Sequence, residues 1–239
     1  MIPSKIHYCW FGQSPMPEEA QKCIASWQKQ MPGWEYRLWN EENFDVDSMD
    51  YTREAYAAGK YAFVSDYVRL RALHDQGGVY LDTDVRVLRS LDPLMALDAF
   101  AGFEGSKRLP MGTCVLASQP EGAWVTEMLH LYDGLHFLRP DGTPDLTTNV
   151  QRLTAAMMAD GFQPDGREQQ YKDLHIFPVE YFSPRQTTGE YLLTPDTYCD
   201  HLGLGSWSCQ PKGWKQRLGR LVGQRIMTFL IKTKRRLER

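Results

Sequence analysis

Gly77-Gly78-Val79-Tyr80-Leu81-Asp82-Thr83-Asp84 combines a helix-stopping glycine pair, a short apolar run and two carboxylates two positions apart. It reads as a buried strand that ends in an acidic pair. Side chains alternate along a strand, so Asp82 and Asp84 point the same way if the strand continues straight. Where a strand opens toward solvent, such a pair can hold a divalent cation. Hard oxygen ligands suit Mg²⁺ or Mn²⁺, which bind through one or two carboxylates together with substrate phosphates. The chemistry suggested is a metal-clamped nucleotide or phosphate ester. The same residues also fit a solvated turn, where Asp is common.

Upstream, Thr52 to Gln76 is predicted as one long helix, with Glu54 in its first turn and Gly77-Gly78 as its stop. Before it come a first strand at 5–11, a helix at 18–29 stopped by Pro32-Gly33, and a strand at 35–39. Downstream, 85–88 continues extended and 99–103 is a further strand. Helices at 123–132 and 148–159 and a short strand at 175–179 follow. Residues 183–211, rich in Pro, Gly, Ser, Thr and aromatics, form an ordered irregular segment of the kind that closes over active sites. Strands alternating with helices imply an α/β fold with a largely parallel sheet. In such sheets ligands bind beyond the carboxyl ends of the strands, where Asp82 and Asp84 lie.

The chain has 239 residues, 42% hydrophobic and 24% charged, enough for one domain with a sizeable core. Its five cysteines (Cys9, Cys23, Cys114, Cys199, Cys209) are scattered and lack a Cys-x-x-Cys pair, which argues against a disulfide framework or a zinc site. A reducing cytoplasm is expected, with no leader peptide and no apolar run of the roughly 20 residues a spanning helix needs. The net charge of −3 is unevenly distributed. Residues 212–239 hold ten Lys or Arg and one acid (Glu238), a net +9, against −12 for the other 211 residues. Within this tail Trp214, Leu218, Leu221, Val222, Ile226, Phe229 and Leu230 recur near helical spacing. The expected domains are therefore 1–211, a globular body, and 212–239, a basic amphipathic helix. Such a helix lies on an anionic membrane surface or packs back on the protein with a solvated basic face. Nucleic acid is not expected as a partner, because the body is acidic and carries no recognition motif.

Asp66 and Arg69 sit three apart in Ala62-Phe63-Val64-Ser65-Asp66-Tyr67-Val68-Arg69, on one face of the long helix and among apolar residues. The spacing fits a structural ion pair. It also fits a pair that grips sugar hydroxyls or a phosphate, the Arg through its fork of N–H donors.

Three blocks in order, Ile6-His7-Tyr8-Cys9-Trp10-Phe11-Gly12, Lys60 to Arg69, and Gly77 to Asp84, resemble glycosyltransferase family 32, whose Asp-x-Asp sugar-binding region is shared with initiating α-1,6-mannosyltransferases and capsular polysaccharide glycosyltransferases. The resemblance covers residues 2 to about 104 closely and 148–207 more loosely. It implies a Rossmann-like A-type glycosyltransferase fold and a retaining, Mn²⁺- or Mg²⁺-assisted transfer from a nucleotide-activated hexose. It implies Asp84 as a direct metal ligand and Asp82 as a contact to ribose or sugar and, through water, to metal. Asp66 and Arg69 would grip the donor sugar and act in catalysis, and Asn149 would lie near the anomeric carbon. Trp10 matches the base-stacking aromatic. Tyr80 either lines the donor pocket or is core, and His7 serves the base pocket or structure. His201-Leu202-Gly203-Leu204-Gly205-Ser206-Trp207 resembles the family's C-terminal block, with His201 as a metal ligand and Ser206 and Trp207 at the substrate.

No residue stands out as a nucleophile, so same-face attack by the acceptor hydroxyl is expected, with the leaving phosphate as base. Expected partners are a UDP-sugar, a lipid-linked saccharide of capsular, exopolysaccharide or O-antigen synthesis, and the inner face of the plasma membrane through the tail. Two other readings are a toxin-like transferase that modifies a protein and a non-catalytic sugar-nucleotide-binding protein. An aspartyl-phosphate phosphatase also uses Asp-x-Asp, but wants Thr or Val where this chain has Arg86.

Overall fold

The computed structural model describes residues 1–105, 110–186 and 188–205. Ser206, Trp207 and the 212–239 tail lie outside the described residues. The first strand, β1 (Lys5–Cys9), leads through a loop into α1 (Glu18–Gln30) and back into β2 (Glu35–Trp39). Then come α2 (Asp50–Ala57), α3 (Tyr61–Gln76), β3 (Gly78–Leu81) and β4 (Val85–Val87). The second half holds β5 (Ala99–Phe103), β6 (Met111–Ser118), α4 (Ala123–His130) and α5 (Asn149–Ala159). It ends with β7 (Gln169–Tyr171), β8 (Leu174–Phe177) and β9 (Cys199–His201).

Seven strands form one sheet in the order β2-β1-β3-β6-β5-β8-β7, and β4 pairs with β9 in a separate ribbon. β2, β1 and β3 are parallel neighbours, as are β5 and β8. β6 and β7 run against their neighbours. The sheet is therefore mixed, with five strands sharing one direction. This is the expected α/β architecture with an antiparallel β6 inserted at its centre. β6 is not predicted from the sequence. It is buried along its whole length, so Met-Gly-Thr-Cys-Val-Leu-Ala-Ser carries no polar–apolar alternation to betray a strand.

Side-chain alternation gives the sheet two cores. Tyr80, Ala101, Phe103 and Leu116 face α3, α4 and α5. Ile6, Val79, Leu81, Phe100 and Ala117 face α1, where Trp27 is fully buried, and Phe182. Trp27 also donates from its indole N–H to the Val85 carbonyl at 2.7 Å, which fastens α1 to β4.

The single long helix expected over 52–76 is two helices. At Ala58-Gly59-Lys60, the Lys60 N–H bonds the Ala55 carbonyl at 2.8 Å and the Gly59 N–H bonds Tyr56 at 2.9 Å. This is a Schellman closure, with Gly59 at φ +66°. Apolar periodicity runs through the break, so periodicity alone did not show it. The extension of β3 straight into 85–88 is also corrected. β3 ends at Leu81, and the Val85 N–H closes a turn on the Asp82 carbonyl at 2.9 Å. The chain then enters the separate β4–β9 ribbon.

Among the described residues, no helix is long and apolar enough to cross a membrane.

Candidate active site at the carboxyl ends of the central strands

β1, β2 and β3 are parallel, so their carboxyl ends share one edge of the sheet, where Trp10, Asp82 and Asp84 lie. The turn after β3 separates the two carboxylates. Asp82 stays beside the sheet, where its Oδ1 accepts from the Tyr80 hydroxyl at 3.0 Å and meets Arg69 Nη1 at 3.3 Å. Asp84 turns toward the last strand. Its Oδ2 accepts from the Leu204 N–H at 2.7 Å, its backbone carbonyl accepts from the Leu202 N–H at 3.0 Å, and its Oδ1 lies 3.4 Å from His201 Nε2. In register, β4 and β9 pair Val85 with His201, so the ribbon carries the imidazole to the acidic pair. Carboxylate oxygens of Asp82 and Asp84 and a ring nitrogen of His201 lie within 4.8 Å of one another. This is the trio expected from the sequence, drawn from positions more than a hundred residues apart.

Two hard oxygen donors and one imidazole fit a Mn²⁺- or Mg²⁺-class ion, with positions left for a substrate phosphate. Burial opposes charge on His201, yet Cys114 and Asp84 raise its pKa well above the ordinary histidine range. Burial likewise works against Asp84, whose pKa is nonetheless held below the usual carboxylate range by His201 and the Leu204 N–H. A cation bound here would replace the His201 proton.

Arg69 and Asp66 form a buried ion pair, Nη2 to Oδ1 at 3.0 Å, with the arginine 5% exposed. Arg69 also donates to the Thr113 carbonyl at 2.8 Å and the Ser65 carbonyl at 3.2 Å, and its guanidinium stacks over the Tyr80 ring at 4.5 Å. One side chain thereby joins α3 to β6, to β3 and to Asp82. Asp66 Oδ2 accepts from the Asn149 N–H at 3.0 Å. Asn149 opens α5, whose own Thr148–Gln151 capping box sets its start, so Asp66 acts as an additional anion at that helix end. Burial pushes the Asp66 carboxyl up to about 6 against the pull of Arg69. The geometry shows the structural reading of the 66/69 spacing, a buried ion pair, and Arg69 also holds Asp82.

Asn149 is corrected as a sugar contact, while His7 and Tyr80 take the structural one of their two expected readings. Asn149 is 1% exposed and its polar groups are occupied. Its amide donates to the Asp66 carbonyl at 3.2 Å and its oxygen accepts from Tyr132 at 3.2 Å, so it locks α5 to α3 from within the core. His7 is fully buried between the Gly77 carbonyl at 2.8 Å and the Trp39 indole N–H at 3.1 Å. Burial lowers its pKa to about 4, so it is a neutral structural pin. Tyr80 is buried beneath Arg69 and reaches the site only through its hydroxyl on Asp82. Trp10 is partly exposed. With Gln13, Ser14, Leu38, Asn40, Glu41 and Glu42 it lines a cleft of about 330 Å³ at the ends of β1 and β2.

Glu104 is a residue the sequence reading missed. It follows β5, and burial raises its pKa among His201, Asp82, Arg69 and Asp66. Nothing in Gly-Phe-Glu-Gly marks it, because only the sheet order brings the end of β5 beside that of β3.

Residues 17–101 match the family model described as a glycosyltransferase sugar-binding region containing the DXD motif. The chain is 30% identical over 110 residues to inositol phosphoceramide mannosyltransferase 1 of Schizosaccharomyces pombe, covering 41% of this chain and 33% of that protein. It is 31% identical over 130 residues to mannosyl phosphorylinositol ceramide synthase SUR1 of Saccharomyces cerevisiae, covering 50% of this chain and 32% of that one. It is 28% identical over 112 residues to subversion of eukaryotic traffic protein A of Legionella pneumophila, covering 35% and 17%. The matches thus span a third or less of these relatives' lengths. The fold is similar to that of the PaToxG glycosyltransferase, with TM-score 0.50, 16% identity and coverage of 67% of this chain and 70% of that one. Residues 17–101 thus carry a region similar to the DXD region of glycosyltransferases, mannosyltransferases are among the relatives, and the fold is similar to that of an A-type glycosyltransferase.

Proposed function

We propose that this chain is a metal-dependent, retaining hexosyltransferase that uses a nucleotide-sugar donor and a lipid-linked saccharide acceptor. The observation that carries the reading is the convergence of Asp82, Asp84 and His201 at the shared end of the parallel strands. The Trp10 cleft lies on the same edge, beside β1 and β2, and suits a stacked nucleobase. A base seated there directs its diphosphate along the strand ends toward Asp82 and Asp84.

Asp82, Asp84 and His201 would hold a divalent cation, which would supply Lewis-acid neutralisation of the charge on the leaving diphosphate. The chain's own groups set the geometry for that role. Tyr80 and Arg69 fix Asp82 from one side, and the Leu202 and Leu204 N–H groups fix Asp84 from the other. Asp66 stands behind Arg69 and supports the positive charge that steadies Asp82. The acceptor hydroxyl would attack the face of the anomeric carbon that the phosphate leaves, with the phosphate taking its proton.

A UDP-sugar is the first donor to test. Two relatives are inositol phosphoceramide mannosyltransferases, which supports GDP-mannose as the second donor and a lipid-phosphate acceptor. Residues 1–211 would be the catalytic domain. The basic 212–239 tail would hold it on the inner face of a membrane, where such acceptors reside. A protein acceptor is the alternative reading.

The test is calorimetric binding of a nucleotide-sugar panel with and without Mn²⁺, repeated on Asp84→Asn. This variant keeps an acceptor for the Leu204 N–H. Metal-dependent binding of one donor, with turnover reduced about 100-fold or more in Asp84→Asn, supports the assignment. Metal-independent turnover, or full activity in the variant, overturns it. Vesicle co-sedimentation of the full chain against a chain ending at 211 tests the tail, and equal sedimentation refutes tethering.

A further inference from the structure

Outside the acidic pair, a second set of donors meets at His201. A carboxylate oxygen of Glu104, the Sγ of Cys114 and a ring nitrogen of His201 lie within 4.8 Å of one another. They come from the end of β5, from β6 and from β9, three elements held in place by the central sheet and the ribbon. The set differs in chemistry from the acidic pair. Sulfur, nitrogen and one carboxylate oxygen are the donors Zn²⁺ takes in three-ligand sites with one open position, whereas Mg²⁺ and Mn²⁺ prefer oxygen. The thiol is buried and lies 3.4 Å from the Ser183 hydroxyl. Gly112 makes the room: a Cβ there would lie 3.2 Å from Glu104 Oε2 and 3.0 Å from the Gly102 carbonyl.

We propose that Glu104, Cys114 and His201 form a second cation site, selective for Zn²⁺, that shares its imidazole with the Asp82–Asp84 pair. Ligation costs the Cys114 thiol and His201 their protons, which pass to solvent. Because one imidazole serves both sets, Zn²⁺ on the thiol side withdraws a ligand from the carboxylate side. The two sites are antagonistic, and zinc weakens retention of a hard cation by removing His201 from it. The proposal stands on ligand geometry and is independent of what the chain transfers.

Co²⁺, titrated into the metal-free full-length chain, is the probe, because a cobalt–thiolate bond gives an intense near-ultraviolet charge-transfer band. The band is expected in the wild type and in Asp82→Asn/Asp84→Asn, is bleached by Zn²⁺, and is lost in Cys114→Ser. Glu104→Gln keeps the thiol and should weaken Zn²⁺ about tenfold or more. Should Cys114→Ser fail to fold, this variant carries the test. Mn²⁺ binding followed by electron paramagnetic resonance should weaken about tenfold under saturating Zn²⁺ in the wild type, and much less in Glu104→Gln. No thiolate band in the wild type, a band surviving Cys114→Ser, or an unchanged Zn²⁺ affinity in Glu104→Gln each overturns the site. Mn²⁺ affinity indifferent to zinc overturns the sharing of His201.

Discussion

Replacing Arg69 by Met, close to it in volume, removes the guanidinium and leaves Asp66 and Asp82 facing each other. Four polar contacts disappear: to Asp66 at 3.0 Å, Asp82 at 3.3 Å, the Thr113 carbonyl at 2.8 Å and the Ser65 carbonyl at 3.2 Å. Deleting one partner of a buried ion pair costs about 3–5 kcal/mol, because the other charge is left uncompensated. For a body of this size, each kcal/mol lowers Tm by about 2–4 °C, so a drop of about 6–20 °C is expected. The effect also has a pH signature. Asp66 has a pKa raised from 3.8 to about 6, so the folded state favours its protonated form. Its contribution to stability is fully present below the unfolded value and is lost as pH rises through about 6. Arg69 is the largest influence holding that pKa down against burial. Without it the folded pKa rises further, and the variant keeps losing about 1.4 kcal/mol per pH unit where the wild type has levelled off. Between pH 6 and 8 the stability gap should widen by about 2–3 kcal/mol. Urea unfolding of both proteins in chelator at pH 5, 6, 7 and 8 measures it, and titrations common to both cancel in the difference. A gap that is constant or that narrows with rising pH refutes the reasoning.

His7→Gln should leave an acceptor for Trp39 and a donor for Gly77. The folded-state pKa of His7 is lowered from 6.5 to about 4, so its contribution is lost as pH falls through that window, about 3 kcal/mol in all. The wild-type advantage over the variant should shrink by that amount between pH 7 and 4 in urea unfolding, and a pH-independent gap contradicts it. Gly78→Ala should cost about 2–4 kcal/mol, because φ is +108° and the new Cβ would sit 2.6 Å from the Lys5 carbonyl. Gly33→Ala, at φ +88° with nothing within 4 Å, should cost only about 1–2 kcal/mol; equal shifts in thermal unfolding would show that the close approach is immaterial. Trp10→Ala should weaken nucleotide binding about 10- to 100-fold in calorimetry by removing the stacking face, and unchanged affinity would displace the base from this cleft.

Local chemistry made much of this protein legible in its sequence. Gly77-Gly78 marked the end of a helix, and the acidic pair after an apolar run marked a ligand-binding strand end. Those signals depend on near neighbours, and so does the Asp66–Arg69 pair, which sits one helical turn apart. The His201 assignment rested on resemblance, and the β4–β9 register then brought the imidazole to Asp84.

Tertiary structure decided what depends on distant segments meeting. β6 was hidden because burial on both faces erases its pattern, and the helix break at Gly59 was hidden because the apolar period continues across it. Asn149 and His7 carried polar groups that suited a ligand, but the fold spends those groups on Asp66, Tyr132, Gly77 and Trp39. Glu104 and Cys114 gained their place beside His201 only from the order of strands in the sheet. A sequence specifies donors and their spacing along the chain. Which donors remain free, and which meet across strands drawn from opposite ends of the chain, is settled by packing.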